Sequence, residues 1–237
     1  MKRLFVPFLA ICLMFLSCEH EEPEDPYFEY AVDLGLPSGL KWSDRNLGAP
    51  DPISEGYYFS WGEVAPKQDY NDDKYKWLSA DKTSIFPVLL RINKYQIADE
   101  EFNGIWYDGS SGKFIGDGNN QLDLEDDAAH VMWGGHWRMP TAKEAQELIN
   151  NCRFRYELKN GKRYVVATGP NGNELSFPAD TPPIPSNGGP YFGSFFWASE
   201  LLMTKTISAY CFVASGDPPM GIPRNRGVNI RPVYSSK

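Results

Sequence analysis

The sequence predicts an α+β domain built from small twisted antiparallel sheets, two helices and long loops. From Tyr30 onward, short apolar runs are cut repeatedly by Gly, Pro, Asn and Asp, the pattern of many brief strands. Two AsnGly pairs, at 160–161 and 171–172, separate three such runs and accept the positive φ angles that tight hairpin turns need. Helix signals are confined to two stretches that lie close together.

Taken in order, the segment 57–61 alternates, so Phe59 and Trp61 share one face and Tyr58 lies on the other. A short helix is expected over Glu125 to Met132, its first turn favoured by Asp126 and Asp127 beside the positive end of the helix dipole. The clearer helix follows Pro140. Thr141 and Glu144 form a capping box, and Ala145, Leu148, Ile149 and Cys152 recur on one face. RFRYEL, RYVVATG and ELSFPA then read as consecutive antiparallel strands. A Pro/Gly loop from Pro178 to Gly193 leads to strands at 195–199 and 207–214, an irregular loop at 215–227, and a closing strand VNIRPVY. No internal repeat of fixed period is present, which excludes a solenoid.

The chain has 237 residues, 42% hydrophobic, with a formal charge of -8. That is too apolar for a disordered chain and too acidic, with no Lys/Arg cluster, for a nucleic-acid partner. Met1 to Ser17 pairs two cations with a run from Leu4 to Leu16 free of charge, spanning roughly 20 Å as a helix against a hydrocarbon core of ~30 Å. It reads as a signal peptide. Phe15, Leu16, Ser17 and Cys18 resemble a bacterial lipobox, which makes Cys18 the expected lipidation site and the membrane a partner through its acyl chains. The sequel EHEEPEDP gives an acidic tether over 18–29, extended and solvated. It resembles the acidic stretch that sends Bacteroides-type lipoproteins to the cell surface; a periplasm-facing anchor in the outer membrane is the alternative. A single folded domain over 30–237 follows.

Several phrases resemble one family: YAVDLGLPSGLKWSDRNLGAP at 30–50, YYFSWGE at 57–63, LEDDAAHVMWGGHWRMPTAKEAQELINNC at 124–152, ATGPNGNELSFPA at 167–179 and GVNIRPV at 227–233. In this order they are similar to the Fibrobacter succinogenes major paralogous domain, found mostly in lipoproteins of Gram-negative bacteria. The resemblance implies a C-type-lectin-like fold, shared with formylglycine-generating enzymes. Many members carry a Cys where Arg45 stands, a thiol that would be a partner for Cys152; here it is missing. The segment Ile85 to Phe114 is longer than the matching stretch and reads as an elaborated loop.

The chemistry of the side chains favours binding over catalysis. Formylglycine-type chemistry needs a redox-active cysteine pair near the C-terminal end, where Cys211 stands alone. With Cys12 in the leader and Cys18 acylated, Cys152 and Cys211 remain, either bonded to each other or as two buried thiols. No GxSxG or HExxH occurs, and His130 and His136 read as structural or surface residues. GDGNNQLDLEDD offers oxygen ligands, Asp117, Asn119 and Asp123 among them, to Ca²⁺, without the spacing of an EF-hand; a solvated loop ahead of an acidic helix start is the plainer reading, with no cofactor. Among the aromatics, Trp106 and Tyr107, then Tyr191 and Phe192, are the expected exposed anchors for a ligand. The expected function is a non-catalytic surface lipoprotein that binds a glycan or protein ligand through its loops. A structural subunit of an envelope or adhesin assembly is the alternative, and a formylglycine-generating-like enzyme ranks third.

Overall fold

The computed structural model describes residues 25–78, 92–98, 106–159, 161–179 and 195–235. The leader, Cys18, the tether through Glu24, and Tyr191 and Phe192 lie outside the described residues. The chain forms β1 (Ala31–Asp33), β2 (Lys41–Ser43), β3 (Tyr58–Phe59), α1 (Ala128–Trp133), β4 (Trp137–Arg138), α2 (Ala142–Asn151), β5 (Arg153–Lys159), β6 (Lys162–Thr168), β7 (Glu174–Pro178), β8 (Phe195–Leu202), β9 (Lys205–Val213), β10 (Met220–Pro223), β11 (Val228–Asn229) and β12 (Val233–Tyr234). These make an α+β domain of three small sheets, ordered β1-β2-β12-β4, β10-β9-β8-β11-β3 and β5-β6-β7. Among the described residues every ladder is antiparallel except β8 with β11, which pair in parallel at Phe196 and Asn229. In the first sheet the two ends of the domain meet, because β2 sits between β1 and β12.

The five-stranded sheet divides the interior. Trp197 stands opposite Cys211 and Phe196 opposite Phe212, so alternate side chains enter different cores. Trp197 and Cys211 join Phe59, Trp61, Trp137 and Ile230 on one side. Phe196 and Phe212 join Trp42, Leu148, Cys152, Val165 and Phe177 on the other. The two cysteines are therefore free, buried and in separate cores, and the possible Cys152–Cys211 disulfide does not form. Burial pushes their thiols up to about 11 and about 12, so both stay protonated and unreactive at neutral pH.

The helix after Pro140 forms as expected: the Thr141 hydroxyl accepts from the Glu144 N–H at 3.1 Å and the Glu144 carboxylate from the Thr141 N–H at 2.8 Å. Helix α1 starts later than expected. Asp127 adopts extended backbone as its N-cap and accepts from the N–H groups of Ala129 and His130, while a 3-10 turn at Leu124–Asp126 precedes it. The three-strand meander matches expectation, with Gly161 and Gly172 at φ 76° and 88° in its turns. Three expectations are corrected. The loop 215–227 contains β10, whose Pro223 is tolerated because it is an edge strand. The closing strand VNIRPVY is two strands in two different sheets. Residues 25–29 dock onto the body: Asp25 accepts from the His136 N–H, the Trp137 indole donates to the Pro26 carbonyl, and the Phe28 ring meets Tyr234 at 5.0 Å.

The closing segment divides because Arg231, between β11 and β12, points inward and is fully buried. Its guanidinium donates to Asn46 Oδ1 at 2.9 Å, to the Ser43 carbonyl of β2 at 3.1 Å and to the Ser176 carbonyl of β7 at 2.9 Å, and lies 4.3 Å from the Phe177 ring centroid. Its hydrogen bonds thus tie the first sheet to the third, and the guanidinium also lies 5.9 Å from the ring centroid of Phe196 in the five-stranded sheet. Burial lowers its pKa to about 9, which leaves it charged at pH 7. Arg231→Leu would strand three acceptors, two of them fully buried, at about 1–3 kcal/mol each, so urea unfolding should show a loss of about 3 kcal/mol or more; a loss under about 1 kcal/mol would contradict this role.

Candidate functional site

The expected ligand and metal residues divide on inspection. Trp106 is buried, in a small cluster with Tyr75 and Ile92, and its indole donates to the Ile92 carbonyl at 3.4 Å. Tyr107 is half-buried, edge-on to Phe114 at 5.5 Å. Neither ring is an exposed anchor. Trp106 packs inward, and Tyr107 pairs with Phe114 as an isolated bridge.

Asp117 spends its carboxylate on the backbone, accepting from Tyr95, Gln96 and Asn119 N–H groups at 2.7–3.0 Å. Asp123 belongs elsewhere, in a cluster with Glu125 and Asp126 whose oxygens lie within 4.8 Å of one another. That cluster already holds a cation. Lys94 Nζ sits 2.6 Å from Asp126, 3.0 Å from Asp123 and 3.8 Å from Glu125, and Lys76 Nζ lies 3.2 Å from Asp126. The hydroxyl of the buried Tyr95 completes it, donating to Asp126 at 2.7 Å. Burial pushes the Asp126 carboxyl up, but hydrogen bonds from Lys94, Tyr95 and Lys76 more than offset it and hold it below the usual carboxylate range. Burial likewise opposes charge on Lys94, yet its bonded carboxylates keep its pKa above the ordinary lysine value. The group pins residues 94–95 to the approach of α1. A Ca²⁺ ion would have to expel Lys94 from the place where the three acids converge.

A cleft of about 300 Å³ opens between Gly56–Tyr58 and Pro66–Tyr70. Tyr57 is 45% exposed and forms one wall. Its ring lies over Gly48, where any Cβ would run into the ring carbons, so this glycine is required twice, for space and for its φ of 78°. The Tyr58 hydroxyl donates to Glu55 at 2.8 Å and the Tyr70 hydroxyl to the Tyr58 carbonyl at 2.7 Å. Burial raises both phenols, Tyr70 to about 12, so neither ionises near neutral pH. Lys67 is fixed by Glu63 at 2.8 Å and by the Lys74 carbonyl at 3.0 Å, with its ammonium 5.6 Å from the Tyr70 ring centroid. Gln68 is exposed at the rim.

Both walls are set by the segment 224–231. Asn229 Nδ2 donates to the Glu55 and Tyr57 carbonyls, each at 2.9 Å, and Asn46, held by Arg231, donates to the Glu55 carbonyl at 2.8 Å. On the other wall, Asn225 Nδ2 donates to the Tyr70 carbonyl at 3.1 Å and to Asp72 at 2.7 Å, while Gly227 lies flat against the Tyr70 ring. Arg224, fully buried, donates to the Tyr75 hydroxyl and to the carbonyls of Lys94, Tyr95 and Thr206.

A larger groove, about 540 Å³, runs along α2 beside Pro37 and Ser38. Its walls are Lys143, Gln146, Asn150 and carboxylates, with Glu147 already bonded to Ser38 and Glu144 to Arg138, and no aromatic ring lines it. None of Tyr57, Lys67, Gln68 and Tyr70 is among the anchors expected from the sequence. The available signal was Gly56 ahead of consecutive tyrosines, facing a second polar and aromatic run at 66–70. No helix among the described residues is long and apolar enough to cross a membrane. Compared with known protein families, characterised proteins and solved structures, the chain matches none.

The acid cluster makes a signed prediction. The folded-state pKa of Asp126 is depressed, so its contribution is present above the ordinary carboxylate value and lost as pH falls below about 4. Thermal melting of the protein should therefore fall steeply in acid, and Lys94→Met, which releases Asp126, should lower stability at pH 7 while flattening that acid limb. An unchanged limb would contradict the assignment.

Proposed function

We propose that this chain is a non-catalytic, lipid-anchored protein of the outer membrane, displayed at the cell surface, whose domain has a C-type-lectin-like fold and binds a glycan in the tyrosine cleft. The observation that carries the reading is the cleft itself. A half-exposed ring, Tyr57, is locked in place over Gly48, and polar groups from Gln68 and Lys67 face it within a space of about 300 Å³. A pyranose presents an apolar C–H face, which packs on an aromatic ring, and an equatorial rim of hydroxyls, which needs amide and charged partners at the edge. The cleft offers both. The α2 groove has no aromatic ring to meet the C–H face.

Support for the fold comes from the close pairing of the two ends of the domain, the two helices and the capping box within RMPTAKEA, the phrase through which the family resemblance runs. Support for a role without catalysis comes from the two thiols, both buried and protonated. Support for the anchor remains the lipobox-like sequence ending at Cys18, and for surface display the acidic tether.

Screening the full chain against immobilised glycans should reveal binding. Tyr57→Ala should then weaken the affinity by about tenfold or more without changing the melting temperature, and Gln68→Ala by less. Glycan binding that survives both substitutions would move the site elsewhere, and the absence of any glycan binding would overturn the reading.

A further inference from the structure

We propose that the chain pairs with a second copy of itself, edge to edge along β5, so that two three-stranded sheets become one six-stranded sheet. Among the described residues no strand pairs with the outer edge of β5, which runs for its whole length as the edge of β5-β6-β7. Its Tyr156 and Leu158 are 70% and 71% exposed, the highest values among the large hydrophobic side chains described. An edge of this length with apolar side chains is a template for a further strand.

The parity of the ladder fixes which backbone groups are offered. The Ala179 N–H donates to the Arg163 carbonyl and the Gly169 N–H to the Asn173 carbonyl, so odd-numbered residues of β6 bond toward β7. Even-numbered residues then bond toward β5, and the ladder closes on Lys159 opposite Lys162 across a two-residue turn. It follows that Phe154, Tyr156 and Leu158 direct their N–H and C=O groups outward.

The order of side chains in RFRYELK is self-complementary about Tyr156. In an antiparallel pair centred there, Tyr156 faces the partner's Tyr156 and Phe154 faces the partner's Leu158 on the same face of the sheet, twice over by symmetry. On the other face Arg155 stands opposite the partner's Glu157, also twice. All three outward-directed residues thereby acquire backbone partners in the same register. Arg155 already bonds Glu157 and Glu174 within its own chain, so the partner's Glu157 joins an existing charge network. The one unfavourable pair, Arg153 with the partner's Lys159, falls at the solvent-exposed ends, where salt screens it.

The test is sedimentation velocity on the full chain in mild detergent, over a range of concentrations. The wild type should show a concentration-dependent dimer. Tyr156→Pro removes an outward N–H and leaves the β5–β6 ladder intact, so it should abolish the dimer while the far-UV circular dichroism and melting temperature are retained. Glu157→Arg should weaken association about tenfold or more, and the charge exchange Arg155→Glu with Glu157→Arg should recover it. A chain that stays monomeric at every concentration overturns the proposal, as does a dimer that is indifferent to Glu157→Arg and to the exchange. If Tyr156→Pro fails to fold, the charge series alone decides.

Discussion

Two buried guanidinium groups hold this domain together. Arg231 and Arg224 lie in one short segment, each with no exposed surface and each donating to backbone carbonyls from distant parts of the chain. Stripping water from a charge is costly, and here the return is made through fixed carbonyl and amide dipoles and the faces of Phe177 and Trp61. The four-stranded sheet, with strands of two or three residues, has little ladder of its own to set its position against the longer strands. A planar fork of donors that must find three or four acceptors at once supplies that geometry.

The candidate site inherits its shape from the same segment. Arg231 orients Asn46, Asn46 and Asn229 hold the turn that presents Tyr57, and Asn225 holds Tyr70 on the facing wall. A loop-built cleft is thereby placed by rigid, fully buried groups, as a pre-organised binding surface requires. The acid and lysine cluster around Asp126 performs the equivalent task for residues 94–95, using charges that a calcium reading would assign to a metal.

Local physics made the secondary structure legible. The Thr141 and Glu144 capping box, the AsnGly turns and the alternating strands around Phe196 and Cys211 all depend on neighbours a few residues away, and the structure has them where the sequence placed them. Long-range polar contacts were opaque. Nothing adjacent to Arg231 announces that its partners are Ser43, Asn46 and Ser176, although an arginine interrupting the apolar run VNIRPV was a hint that the strand breaks there. Trp106 misled for a related reason: its burial comes from Tyr75 and Ile92, supplied by separate segments. The tyrosine cleft escaped because its halves, 56–58 and 66–70, are ordinary loops until Asn225 and Asn229 bring them face to face. The separation of Cys152 from Cys211 likewise follows from the sheet that divides the two cores.

The central claim is that ligand recognition belongs to the cleft between Tyr57 and Tyr70. Amide hydrogen exchange on the full chain, with and without a captured glycan, tests it most directly. The account predicts slowed exchange confined to residues 56–58 and 66–70 and to the segment 225–229 that supports them. Protection centred on α2 and residues 37–38 instead, with 56–70 unchanged, would contradict it.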